Sequence, residues 1–141
     1  HGDREFQGVL KCAWTPNKGR IVHAHHKFSE GEIILVESPL HIVQEDAKSA
    51  AFRKLRAMCK QYEEDFDYEP LWYWCALQSL TEEQLKGAKA AGMKGASPET
   101  QHNLLLLHHE EVQEPSKAAQ TLVQELAPGA DAVTLERLIQ I

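Results

Sequence analysis

Several groups of residues in this chain have types and spacings that bear on chemistry. Asn17-Lys18-Gly19-Arg20 forms a turn between two short β-prone runs, where a glycine lets a ligand approach the main chain closely. His23 and His25, two apart on a strand, point to one face and make a candidate metal pair. His26 points to the opposite face, and no Cys or carboxylate sits at ligand spacing nearby, so a solvated strand face is the expected role. His108 and His109 are adjacent, about 100° apart on a helix, and would share a metal poorly. Cys12, Cys59 and Cys75 contain no C-x-x-C pair, which leaves a zinc knuckle or a thioredoxin-type redox site without basis. Cys12 and Cys75 stand in apolar surroundings and are expected to be inert core thiols. No local signature supports a Cys nucleophile with a His partner. Glu63, Glu64, Asp65 and Asp67, with Tyr62, Phe66 and Tyr68 between them, would attract a basic peptide, although a solvated helix end is the expected role. No catalytic residue and no metal ligand is assigned from these patterns.

The elements that must position these groups change character near residue 47. Before it lie β-formers and tight turns. Val9–Trp14 and Ile21–Ala24 read as strands around the turn Thr15-Pro16-Asn17-Lys18-Gly19, in which proline presets φ and Asn and Gly accept positive φ. Ser29-Glu30-Gly31-Glu32 is a second turn. Ile33-Ile34-Leu35-Val36 is the most apolar run of this half, and its branched side chains predict a buried strand. Ser38-Pro39 breaks that run, and Leu40-His41-Ile42-Val43 resumes it. So short a meander cannot bury both faces alone and needs a cover.

From Ala47 onward the period is helical. Phe52, Leu55, Cys59, Tyr62 and Phe66 recur every three or four residues as one apolar stripe. Leu71–Leu80 follows Glu69-Pro70 and is apolar on all sides, which predicts a short helix buried all round. Thr81-Glu82-Glu83-Gln84 is a capping box, but Gly87, Gly92 and Gly95 limit any helix after it. Ser97-Pro98 starts another helix that carries Leu104–Leu107 and ends near Pro115. A further one runs from Pro115 to Ala127 and stops at Pro128-Gly129. Asp131 caps the last, whose residues Thr134–Ile141 meet no stop signal, so the fold is expected to continue past them. The expected fold class is α+β: a β-strand meander over residues 1–46, then a helical array over 47–141.

Bulk properties narrow the function classes. With 141 residues, 43% hydrophobic and 26% charged, the chain is of globular and not disordered type. No apolar run reaches the roughly 18 residues of a membrane span. A net charge of −6 with no long Lys/Arg cluster argues against nucleic acid as the main partner. Three widely spaced cysteines suit a reducing, intracellular setting better than a disulfide scaffold.

The turn is also part of a longer pattern. Lys18-Gly19-Arg20-Ile21-Val22-His23-Ala24, followed by Phe28, Gly31-Glu32, the apolar run Ile33–Val36, Glu37 and Pro39-Leu40, resembles the opening of the SET-domain protein lysine methyltransferases. The match covers about residues 17–40, and Ala24, Phe28, Gly31, Glu32, Glu37 and Pro39 fall in register without a gap. The helical array resembles the variable insertion of such domains, and the Pro70–Leu77 stretch is similar to SET proteins of the SET-and-MYND type, although no MYND zinc cysteines are present.

The resemblance implies the N-terminal half of a SET fold, with S-adenosylmethionine as cofactor and a lysine-bearing protein, such as a histone, as methyl acceptor. It places the cofactor against Lys18, Gly19 and Arg20, where a loop amide or carbonyl holds its amino acid end and a cation pairs its carboxylate. It implies no direct nucleic-acid or membrane partner, and a location in nucleus or cytoplasm. The family's second turn glycine is Ile21 here. Its later half, with an Asn-His-Ser-Cys run, a Gly-Glu-Glu-type stretch and a channel tyrosine, is not found after residue 40. The chain would therefore contribute to cofactor binding and rely on the rest of its own SET domain for catalysis. Ile21 also motivates the alternative of a degenerate SET-like module used for protein contact. A helical adaptor unrelated to SET domains is the third class, and it predicts almost no strand.

Overall fold

The computed structural model describes residues 4–6 (main chain alone), 8–107 and 109–141. These form an α+β chain of three strands followed by five helices: β1 (Arg4–Phe6), β2 (Leu10–Thr15), β3 (Gly19–Ala24), α1 (Ala50–Gln61), α2 (Pro70–Leu77), α3 (Pro98–Leu105), α4 (Lys117–Glu125) and α5 (Ala132–Gln140). Two compact units are present, residues 1–38 and residues 39–141.

The first unit is a three-stranded antiparallel sheet in the order β1-β2-β3. Leu10 pairs with Ala24, Cys12 with Val22 and Thr15 with Gly19. The turn closes as its chemistry dictates. Thr15 Oγ1 accepts the Lys18 amide at 3.1 Å, and Gly19 adopts φ +71°, a left-handed conformation that side-chain-bearing residues resist. A second turn, Ser29–Glu32, is closed by the Glu32 amide on the Ser29 carbonyl at 3.0 Å.

The expected buried strand at Ile33–Val36 does not form. Those residues lie outside any ladder, and Ile33 and Val36 are 74% and 69% exposed. Branched apolar side chains favour a pleated surface, but a strand exists only where a neighbour supplies the ladder. Among the described residues β3 pairs only with β2, and Ile33–Val36 does not add to its open edge. The resumption expected at Leu40–Val43 is likewise irregular, with Leu40 and Ile42 exposed.

In the second unit helix starts follow from local capping. Ser49, Ser97, Ser116 and Asp131 each accept an amide three residues on with the side chain, at the heads of α1, α3, α4 and α5. The capping box is present in both directions: the Thr81 amide donates to Gln84 Oε1 at 2.9 Å and the Gln84 amide to Thr81 Oγ1 at 3.3 Å. It opens only turns, as the glycines that follow lead one to expect. Of these, Gly92 has the tightest surroundings. At φ +105°, a Cβ there would collide with the Ser49 side chain that caps α1.

The core gathers one face from each of α1, α2, α4 and α5, with Phe52, Leu55, Trp74, Leu77, Leu122 and Leu135 fully buried. Phe52 meets Trp74 edge to face at 5.1 Å, and Phe66 meets Tyr73 at 4.9 Å, the geometry that ring quadrupoles favour. Trp74 Nε1 donates to the Gln44 carbonyl at 3.0 Å, and Val43 packs against the core, so the irregular segment after Pro39 is tied to the helices.

Two helical expectations need correction. α2 is not buried on all sides: Tyr73, Trp74, Ala76 and Leu77 face inward, while Leu71 and Trp72 are on the surface, Trp72 with 48% exposed. The indole is suited to that position, because its Nε1 donates to the Ile139 carbonyl at 2.6 Å while its ring stacks on Tyr68. The Leu-rich helix ends at Leu105, well before Pro115, and leaves Leu106 and Leu107 exposed. An all-leucine run carries no helical period, so nothing in it marks which turn is the last.

Candidate functional site

The residues matched to the cofactor turn lie together at the β2–β3 hairpin. Lys18 and Arg20 are exposed and flank half-buried Gly19. A Cβ built on Gly19 would meet nothing within 4 Å. The main chain of the turn is therefore open on that side, which suits close approach by a ligand. Arg20 stands opposite Trp14 in the register of the hairpin. Ile21, in the place of the family's second glycine, is half-buried on β3, with strand geometry that a β-branched residue favours. The open turn sets main-chain groups and an exposed lysine side by side.

The histidines separate. His23 and His25 lie exposed at the end of the hairpin, and His25 donates its amide to the Val9 carbonyl at 2.8 Å. His26 finds a partner that its local sequence does not reveal. Its Nε2 lies 3.3 Å from Glu32 Oε1, and its ring meets Phe28 edge-on at 4.8 Å. Glu32 Oε2 also accepts the Ser29 amide at 2.8 Å. That amide first, and His26 second, hold the Glu32 carboxyl below the usual range. The Ser29–Glu32 turn brings these residues together, so the signal for the pair was the turn and not the spacing. His109 Nδ1 lies 2.8 Å from the Leu107 carbonyl, and His108 lies outside the described residues. Among the described residues no group of three or more His, Cys, Asp or Glu is arranged to hold a metal ion.

All three cysteines are free and half-buried. Burial pushes the Cys59 thiol up, and the Glu69 carboxylate adds to the effect. Burial alone pushes Cys75 up. Both are held toward the thiol, the less nucleophilic form. In the acidic run Glu63, Glu64 and Asp67 are exposed, whereas Asp65 is half-buried and donates its amide to the Tyr62 carbonyl. Phe66 points into the core and stacks on Tyr62.

The helical unit carries depressions that sequence reasoning did not anticipate. One of about 560 Å³ is lined by His41, Gln44, Asp46, Gln78 and Lys94, among others. His41 Nε2 is buried with no hydrogen-bond partner among the described residues. Gln78 is already engaged, because its Oε1 accepts the amides of Lys94 and Gly95 at 2.9 and 3.0 Å. Another, of about 390 Å³, lies between α2 and α5 and is bordered by Leu71, Trp72, Cys75, Leu138 and Ile141. Neither of these two depressions includes Lys18, Gly19 or Arg20. No helix among the described residues is long and apolar enough to cross a membrane. No protein-family model, no curated protein and no solved structure matches the chain.

Proposed function

We propose that the chain is the first part of a SET-type protein lysine methyltransferase, to which it contributes a piece of the S-adenosylmethionine site. The observation that carries this reading is the hairpin turn. Gly19, within the stretch that resembles the family's opening, holds positive φ with open space over its main chain, and Lys18 stands exposed beside it. When bound, the cofactor supplies an activated methyl group for transfer to a lysine amine. The roles of this chain are to bind and orient: Gly19 admits the ligand to the backbone, and Lys18 or Arg20 holds its carboxylate. Groups that take the proton from the amine lie outside residues 1–141 in this reading, so the chain alone is inactive. The protein partner is a lysine-bearing substrate such as a histone, and the setting is intracellular, nucleus or cytoplasm.

The unladdered Ile33–Val36 segment accords with this proposal, since a SET sheet would be completed by strands from elsewhere in the domain. The same segment favours a second reading, a SET-like module that makes protein contacts. An exposed apolar run outside any ladder adds readily as a strand to another sheet. Equilibrium binding of radiolabelled S-adenosylmethionine separates the two. The cofactor reading expects saturable binding, in this chain or in the longest polypeptide that contains it, weakened at least about tenfold by Gly19→Val, a loss of about 1.4 kcal/mol. Absence of binding in both proteins leaves the contact module as the surviving reading.

A further inference from the structure

The face of α1 that points away from the core has an unusual charge. The helix contains Arg53, Lys54, Arg56 and Lys60 and no carboxylate, in a chain whose net charge is −6. Lys54 is engaged, donating from Nζ to the Glu125 carbonyl at the end of α4 at 2.5 Å. Arg53, Arg56 and Lys60 are exposed, and among the described residues none of them has a carboxylate within ion-pair distance; the pairs there are His26–Glu32 and Lys86–Glu83. Positions 53, 56, 57 and 60 form a single stripe on a helix, about 10 Å long at 1.5 Å per residue. Ala57, the small residue among the cations, leaves a shallow depression of about 280 Å³ bounded by all three.

That depression does not end at Lys60. Arg56 and Lys60 also border a second one of about 390 Å³, shared with Cys59, Tyr68, Pro70 and the carboxylates Glu63 and Glu69. Tyr68 is 49% exposed, with its ring stacked on Trp72. Three cations therefore pass directly into a cleft with an aromatic and a proline wall. An acidic run, Glu63-Glu64-Asp65, follows the stripe within a few residues. A long polyanion lying along α1 would meet those carboxylates within about one Debye length, roughly 8 Å at physiological salt.

We propose that this face of α1 docks a short protein segment that carries two or three Asp or Glu residues next to one bulky apolar side chain. The acids lie against Arg53, Arg56 and Lys60, and the apolar group enters the cleft beside Tyr68 and Pro70. Charge complementarity selects an anionic occupant. The short stripe and the acids beyond it select a peptide over nucleic acid. The site belongs to the helical unit and does not depend on the cofactor reading.

The test is fluorescence anisotropy on the full 141-residue chain. The probe is a labelled peptide of about twelve residues, alternating Glu and Ser around one Leu-Phe pair. Saturable binding is expected with Kd below about 100 µM, weakening several-fold when salt rises from about 50 to 200 mM. The double variant Arg56→Glu with Lys60→Glu is expected to lose at least about tenfold, with unchanged circular dichroism, because neither side chain packs in the core. Lys86→Glu, an exposed cation elsewhere, is expected to change binding less than about twofold. The proposal is overturned if the probe does not saturate by about 1 mM, or if Lys86→Glu is as harmful as the double variant. It is equally overturned if single-stranded DNA or phosphatidylserine vesicles bind more tightly than the peptide, or if light scattering shows the stripe holding a second copy of the chain.

Discussion

Trp74→Phe probes the tie between the irregular segment after Pro39 and the helical core. Trp74 is fully buried, meets Phe52 edge to face at 5.1 Å and donates Nε1 to the Gln44 carbonyl at 3.0 Å. Phenylalanine keeps a ring against Phe52 but loses the donor and leaves about 40 Å³ unfilled, which at about 24 cal/mol per Å³ costs about 1 kcal/mol. The lost hydrogen bond adds about 1 kcal/mol; Gln44 is exposed, so its carbonyl can turn to water and the larger cost of an orphaned acceptor does not apply. The total is about 2 kcal/mol, and for a unit of about 100 residues each kcal/mol lowers Tm by about 4–8 °C. Thermal unfolding followed by circular dichroism at 222 nm should therefore fall by about 10 °C. Amide exchange at residues 43–46 should speed up more than exchange in α4, because the segment is anchored through this bond. The control is Trp72→Phe, whose ring is half exposed and whose indole bonds to Ile139; about 1 kcal/mol is expected there. A drop of less than about 3 °C for Trp74→Phe, or equal drops for both variants, would refute the claim that this indole anchors the segment.

Ser116→Ala removes two contacts at once, the cap on the Ala119 amide at 3.2 Å and the hydroxyl donated to buried Glu136 at 2.8 Å. Chemical denaturation should show a loss of about 2 kcal/mol, against about 1 for a cap alone. Gly92→Ala drives a Cβ at positive φ into the Ser49 side chain, so it should cost about 2–3 kcal/mol by the same assay, whereas Gly87→Ala, with open space over its Cα, should cost only the strain of its positive φ, about 1 kcal/mol. Cys59 and Cys75 should alkylate more slowly in the folded chain than in urea, read by mass spectrometry of each site. Because their folded thiols titrate above the ordinary value, their rates should keep rising at pH values where free thiols have levelled off. The stability they contribute is present in full below the unfolded thiol range and fades as pH rises through the folded values.

What could be read from sequence divides along a physical line. Caps, turns and hairpin closure are decided by neighbours in the chain. Ser97 and Asp131 cap their helices as the sequence predicts, Ser49 and Ser116 do the same at α1 and α4 without having been singled out, and the turn ending at Gly19 closes where its residue types require. The capping box at Thr81–Gln84 was equally visible, and so was its failure to start a long helix. Burial of whole elements depends on partners the local pattern does not name. Trp72 and Trp74 are near neighbours on one short helix, and only the arrangement of α5 and of the segment at Gln44 decides that one lies on the surface and the other in the core. The His26–Glu32 pair arises in the same way, from a turn that folds the chain back on itself.

Ile33–Val36 shows the principle most sharply. Its composition states a preference for a pleated, covered surface, and that preference is real whether or not it is met. A lone strand leaves one main-chain donor and one acceptor per residue without a ladder, so it gains nothing over extended coil exposed to water. The run is therefore informative because it is unsatisfied: four consecutive branched or large apolar side chains outside any ladder, with Ile33, Ile34 and Val36 exposed, mark a surface whose free energy falls when another strand arrives. Both functional readings accommodate that fact, although only the contact module begins from it. They differ in where the strand comes from, the same domain or another protein, and only the first also requires a ligand at Gly19. The cofactor titration therefore discriminates between them, whereas a demonstration that Ile33–Val36 becomes ordered on binding would serve either.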